Sequence, residues 1–471
     1  MAKPNEKIKN FDRALTEGPI RNALWKLAWP TMLQNIIAGL QGIIDHTLVG
    51  HLVGRNANAA IGVSWQIFLV VIVFISSLFS GMGVLVARFA GAGDTEKVNR
   101  VVYQAFITAV ILACFILAPI GYFLAPQLLD LVHAAPEVKA EALPYIRIMF
   151  VFSFGMLIFF MLGGALRAAG DAKTPLRLGV IMTVLNLTLN FALISGLGPI
   201  PSFGTRGSAM GTAIASGVAA LTGLYLLFAK KLVVQFSRSM SWKPDWQIIS
   251  SLFKYGLPTG FQGIAMNIGG VIMLRFIGSL QQSAAAHAAY AVGYTQLFSL
   301  ITWTSVGLMG ATAAMVGQNL GAGKPERSVL AAHTASRLGL ALATVVSLLF
   351  MFIPQQLLAI FGMKDSIAVA LGVGLLRYLS LSGLFVTVAL VYNGALQGTG
   401  DTRSPLFITL FSQFALPLGL CSLIQNLRPL QPSDVWLAIV LGHATRALFS
   451  FLRFRQEKWR TIKVDVGAMQ A

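Results

Sequence analysis

The chain has 471 residues, of which 56% are apolar and only 11% charged, with 35 Lys and Arg against 17 Asp and Glu. A water-soluble fold is excluded, because such a protein needs roughly a quarter charged residues to cover its surface. The formal charge of +18 would suit nucleic acid, but the basic residues sit in short clusters between apolar runs, a membrane-topology signal that calls for no nucleic-acid partner.

About twenty apolar residues cross the hydrocarbon core as a helix, since lipid cannot satisfy a free backbone N–H or C=O. The predicted spans are 26–50, 60–88, 101–124, 142–166, 175–196, 208–229, 249–279, 286–316, 332–352, 368–396, 404–424 and 435–454. The expected fold is therefore all-α, with about twelve transmembrane helices in two six-helix lobes. Residues 1–25 form a basic tail (Lys3, Lys7, Lys9, Arg13, Arg21) with no apolar stretch ending at a small-residue cleavage site. No cleavable signal peptide is expected, and the first helix should stay in the membrane.

The first helix carries Gln34 and then Gln41-Gly-Ile-Ile-Asp45-His46-Thr47. A carboxylate in hydrocarbon costs about 2.5–3.5 kcal/mol on insertion scales, so it must face a polar cavity, bind a cation or hold a proton. Asp45 is thus the candidate for exchanging H⁺ or Na⁺; the plainer alternative is an acid near the helix end that reaches interfacial water. Trp65 and Gln66 follow in the second helix, and Arg88-Phe-Ala-Gly-Ala-Gly-Asp94 closes it. Arg147 lies in the fourth helix, which ends in Gly164-Ala-Leu-Arg-Ala-Ala-Gly-Asp171. In the fifth, Asn186 and Asn190 are four apart and share a face. Their amides either complete a cation site with Asp45 and Thr212 of the sixth helix or hydrogen-bond between helices.

The polar break at 230–248 reads as a cytoplasmic linker between an N-lobe (26–229) and a C-lobe (249–454), with a tail at 455–471. Gln262, Met266 and Arg275 follow in the seventh helix, Gln296 in the eighth and Arg377 in the tenth. Arg377 matches Arg147 in the other half, which favours a structural or snorkelling role. Cys114 and Cys421 sit in apolar segments, so no disulfide framework is implied. The six histidines have no metal spacing, and no nucleophile elbow, P-loop or zinc motif occurs. No enzyme activity, metal or cofactor is expected, and any pumping would draw on an ion gradient.

The halves repeat one another. Gly164-Ala-Leu-Arg-Ala-Ala-Gly-Asp171 returns as Gly394-Ala-Leu-Gln-Gly-Thr-Gly-Asp401, and Gly91-Ala-Gly93 as Gly321-Ala-Gly323, both 230 residues on. Pro30-Thr-Met-Leu-Gln34 returns as Pro258-Thr-Gly-Phe-Gln262 after 228. Six helices per repeat give both halves one orientation, with a cavity between them. The basic clusters place both termini in the cytoplasm. The first-half acid has no copy, since Met273 stands at its counterpart.

These motifs, with Val316-Gly-Gln-Asn-Leu-Gly-Ala-Gly323, resemble the multidrug and toxic compound extrusion (MATE) transporters along essentially the whole chain. The resemblance implies a multi-pass bacterial inner-membrane antiporter that exports cationic or amphipathic organic compounds in exchange for H⁺ or Na⁺. The family's first-helix acid falls on Asp45. Asn190 stands where some members carry a second acid, and acids found elsewhere in the family fall near Met266 and Val386 here. That pattern is similar to the DNA-damage-inducible-F-type branch, with coupling in the first lobe. Gln34, Trp65, Gln66, Gln262, Met266 and Gln296 are candidates for the substrate cavity, or simply helix-packing residues. The expected partners are small organic molecules and membrane lipids, and the expected state is a monomer. A lipid-linked-precursor flippase would call for a strongly basic cavity. An intramembrane enzyme would call for two convergent catalytic groups, and a sensor would show no flux.

Overall fold

The computed structural model describes residues 11–237 and 239–464, apart from the side chains of residues 55 and 69–76. Lys3, Lys7 and Lys9 of the tail lie outside the described residues. Twelve helical segments follow the twelve expected spans. In the N-lobe these are α1 (Ile20–Leu52), α2 (Arg55–Gly91), α3 (Thr95–Phe123), α4 (Pro136–Val151 and Ser153–Ala168, bent by 50°), α5 (Lys173–Ser195) and α6 (Thr205–Phe228). In the C-lobe they are α7 (Trp246–Gly278), α8 (Ser283–Gly321), α9 (Pro325–Phe352), α10 (Ser366–Thr399), α11 (Arg403–Leu427) and α12 (Pro432–Arg455). Among the described residues, nine segments are long and apolar enough to span a membrane, and the bent α4 makes a tenth. The other two, α1 and α2, have 33 and 37 residues, about 50 Å or more at 1.5 Å per residue. Gln34, Asn35, Gln41, Asp45 and His46 make α1 less apolar than its neighbours.

Several helices begin earlier than their apolar runs. The start of α1 at Ile20 and that of α7 at Trp246 carry polar residues that belong in the interface rather than in hydrocarbon. The motifs predicted as helix-ending turns behave as such. Gly170 and Gly400 take φ of +102° and +92°, which stops α4 and α10. Asp171 and Asp401 then accept from Thr174 N (3.0 Å) and Ser404 N (3.1 Å) at the starts of α5 and α11.

The segment expected to be a linker is docked rather than free. Leu232, Val234 and Phe236 alternate into the N-lobe core, and Asn99 receives the Gln235 N–H at 2.9 Å. Asp245 caps α7, accepts an ion pair from Arg100 of α3, and has its own N–H bound by Gln104 at 3.1 Å.

The lobes meet where the two repeats face one another. A Cβ on Gly91 would lie 1.9 Å from the Gln318 carbonyl oxygen, and one on Gly321 2.0 Å from that of Arg88. Arg88 and Gln318, repeat counterparts, reach across in the same sense. The Arg88 guanidinium donates to Thr399 O (3.1 Å), and Gln318 Nε2 donates to Ala168 O (2.7 Å). Gly81 against Leu252 O and Gly256 against Ser77 O bring α2 and α7 equally close, and Ser80 bonds Thr259 at 2.9 Å. The described segments just before α1 and just after α12 reinforce this end of the bundle. Asn319 donates to Leu15 O (3.2 Å), and Arg88 to Ile462 O (3.3 Å). Among the described residues, cross-lobe hydrogen bonds reach no further along α1 than Asn35, bound to Trp303 O at 3.4 Å.

Gly256→Leu should lower the thermal midpoint of the detergent-solubilised protein, by overpacking worth about 1–3 kcal/mol. Gly419→Ala, where a Cβ meets nothing within 4 Å, should leave it unchanged. Equal midpoints for the two variants would refute the close seam.

Candidate functional site

One polar cluster lies inside the N-lobe, built from α1, α5 and α6. The faces were set by spacing: Gln41 and Asp45 on α1, and Asn186 and Asn190 on α5, are each one turn apart. Asn190 Nδ2 donates to Asp45 Oδ1 at 2.9 Å and leans on Asn186 Oδ1 at 3.3 Å. Gln41 Nε2 donates to that same Asn186 oxygen at 2.9 Å, while Asn186 Nδ2 donates to Thr212 Oγ1 at 3.0 Å. Thr183 Oγ1 donates to Gln41 Oε1 at 2.8 Å, and Thr212 passes its own proton to Ser208 O at 3.0 Å. The four residues singled out for ion coupling, Asp45, Asn186, Asn190 and Thr212, are therefore brought into one network.

Asn190 Oδ1 is buried with no hydrogen-bond partner among the described residues. It faces Gly211, where a Cβ would lie only 2.1 Å from that oxygen. The cluster thus presents a carboxylate, an unused amide oxygen and a hydroxyl, all hard oxygen donors, in a place that lipid cannot solvate. His46 Nδ1 pairs with Asn58 Oδ1 at 2.8 Å and ties α1 to α2 just beyond Asp45.

A cavity adjoins the network between α1, α4 and α5. Gln34, Gln41, Phe159, Phe160, Arg167 and Thr183 are among its walls, so Gln41 and Thr183 belong to cavity and network at once. Gln34 Oε1 accepts from Arg167 Nη1 at 2.9 Å, and the guanidinium lies over the Phe79 ring, 5.4 Å from its centroid. Arg167 also borders a second cavity between the lobes, opposite its repeat counterpart Gln397.

The other cavity candidates scatter. Trp65 is partly exposed and lies beside Phe68 and Tyr145; Gln66 is exposed and Gln296 half-buried. Met266 lines a cavity in the C-lobe. Gln262 is buried, and its Nε2 donates to Thr409 Oγ1 at 2.8 Å, which ties α7 to α11. Gln41, Thr183 and Arg167 were not singled out from sequence. The spacing of Gln41 to Asp45 would have found the first; Arg167 was counted among the basic residues of a loop, whereas it stands in the last turn of α4.

The MatE family model matches residues 30–192 and again 258–422, so each lobe is one copy. The chain is similar to a probable multidrug resistance protein NorM of Thermotoga maritima, at 26% identity over 93% of both chains. It is also similar to the multidrug resistance protein PmpM of Pseudomonas aeruginosa, at 25% identity over 93% of this chain and 92% of the other. Among solved structures, an outward-facing multidrug resistance MATE family transporter of the MOP superfamily superposes with a TM-score of 0.88 at 22% identity, covering 98% of this chain and 100% of that one.

Asn186→Leu removes the amide shared by Gln41, Asn190 and Thr212. Each buried group left unpaired costs about 1–3 kcal/mol, so the variant should melt several degrees below wild type in detergent. An unchanged midpoint would mean that the network does not hold the three helices together.

Proposed function

Because the chain belongs to the MatE family, a family of transporters and not of enzymes, we propose that it is an antiporter that exports cationic or amphipathic organic compounds in exchange for H⁺ or Na⁺ by alternating access. The observation that carries this is Gln41, which is hydrogen-bonded into the Asp45 network and is also part of the cavity wall.

Proton uptake at Asp45 would turn an accepting oxygen into an O–H donor. A proton on Oδ1 would deprive Asn190 Nδ2 of its acceptor and make Asn190, Asn186 and Gln41 re-pair, whereas a proton on Oδ2 would weaken that bond by removing the charge. Sodium would act on the same chain by recruiting Asp45, Asn190 Oδ1 and Thr212 Oγ1 as oxygen ligands. Either ion reshapes the wall against which an organic cation would rest, beside Phe159 and Phe160. That linkage makes ion and substrate compete for one lobe, which exchange requires. A single acid in the network suits H⁺ and agrees with assignment to the DNA-damage-inducible-F-type branch.

The basic clusters support a bacterial inner-membrane location with both termini cytoplasmic. The cavities are complete within one chain, which suits a monomer. A flippase for pyrophosphate-linked lipids is the second reading, favoured by Arg167 at the border of both N-lobe and inter-lobe cavities. One guanidinium already engaged by Gln34 is a weak match for a pyrophosphate.

The test is efflux of a fluorescent organic cation from sealed vesicles under separately imposed H⁺ and Na⁺ gradients, comparing wild type with Asp45→Asn. Wild type should transport under one gradient, and the variant should lose at least about tenfold in rate, as expected when a group made essential by ion binding is neutralised. Equal rates for both proteins would assign Asp45 a structural role.

A further inference from the structure

The C-lobe holds a cavity in the position that corresponds, helix for helix, to the Asp45 network. It lies between α7, α8, α11 and α12, the repeat counterparts of α1, α2, α5 and α6. None of its lining residues is acidic. Its wall carries Tyr290, Tyr294 and His443, with Met266 and Asn267 at an exposed rim.

Three observations bear on what this cavity could hold. The first is an ordered aromatic column. Tyr290 and Tyr294 stack at 4.9 Å with planes 8° apart, and the rings of Trp436 and His443 continue the column at 6.3 and 6.4 Å, at 11° and 7°. Second, His443 is 4% exposed, and its Nδ1 has no hydrogen-bond partner among the described residues. Third, Arg446, which is not itself among the lining residues, follows His443 by one turn along α12 and is 3% exposed. It makes no hydrogen bond or ion pair among the described residues, and its buried Nε is unpartnered. A buried guanidinium without an acid is costly unless an anion reaches it, and the fixed fork of Arg suits a carboxylate.

We propose that this cavity is a second ligand site, specific for the anionic end of a planar organic compound, with Arg446 and His443 as its pole and the Tyr290–Tyr294 column as its platform. The two lobes then carry sites of opposite sign, one for a cation and one for an anion. This rests on the transporter reading only in taking the ligand to be a transported compound.

The experiment is equilibrium binding of radiolabelled 2-naphthoate and of 2-naphthamide, the same ring without the charge, to the full-length protein in detergent. No gradient or flux enters the readout, so the outcome is independent of whether Asp45 couples transport. Wild type should bind 2-naphthoate at least about tenfold more tightly than 2-naphthamide, the margin expected of a charge-assisted pair. Asp45→Asn should preserve that preference, Arg446→Gln should abolish it, and Tyr294→Leu should weaken both ligands together. Equal binding of the two ligands by wild type, no binding of 2-naphthoate, or an undiminished preference in Arg446→Gln would each overturn the proposal. Should Arg446→Gln fail to fold, the wild-type preference and its loss in His443→Phe decide the matter.

Discussion

A half-buried carboxylate inside a membrane-spanning helix has to be accounted for by its neighbours, and the N-lobe is organised around that demand. Water is the usual solvent of Asp45, and here Asn190 stands in for it. Asn190 is in turn positioned by Asn186, and Asn186 by Gln41 and Thr212, so a single charge fixes the mutual rotation of α1, α5 and α6. Hydrogen bonds between helices in lipid are individually modest. Their value here lies in being chained, since no member can turn without leaving another unpaired. The same chain ends on the cavity wall, which is why an event at one carboxyl can be felt where a compound would bind.

Duplication supplied the frame, and divergence supplied the chemistry. The seam keeps the symmetry: Arg88 and Gln318 differ in type yet perform equivalent reaches onto the ends of α10 and α4, and the paired glycines let backbones touch in both directions. Away from the seam the copies part company. Asp45 faces amides in one lobe, whereas the other lobe has Met273 at the corresponding register and Arg446 without an acid. Symmetry is retained where the lobes must fit each other and lost where each must fit a ligand.

How much of this was legible in the sequence follows from the contrast between polar residues and hydrocarbon. Asp45, Asn186, Asn190 and Thr212 stand out against apolar runs, and helical spacing puts Asn186 and Asn190 on a common face. Where a polar residue is ordinary for its surroundings, that contrast fails. Arg167 sits among cytoplasmic-type basic residues, so its turn inward towards Gln34 left no mark. Gln262 repeats Gln34 by descent but is engaged by Thr409, a partner 147 residues away that no local pattern reveals. The docking of the linker left as little trace: the three alternating apolar residues that hold it are too few to stand out beside spans of twenty.

That docking has a mechanical consequence. The start of α7 is clamped to the N-lobe by Arg100 and Gln104 around Asp245, its first half packs on α2 through Leu252, Gly256 and Thr259, and only its far end, at Met273 and Ile277, joins the C-lobe core. The crossing between the lobes therefore contains no slack rope; it is a lever fixed at one end. A rocking motion that parts the seam must either release that clamp or flex the lever along its length. Pro258, inside α7, removes one backbone hydrogen bond and is the cheapest place to flex. The stiffness of a docked tether would thus concentrate the bending of a large molecule into a single helical turn.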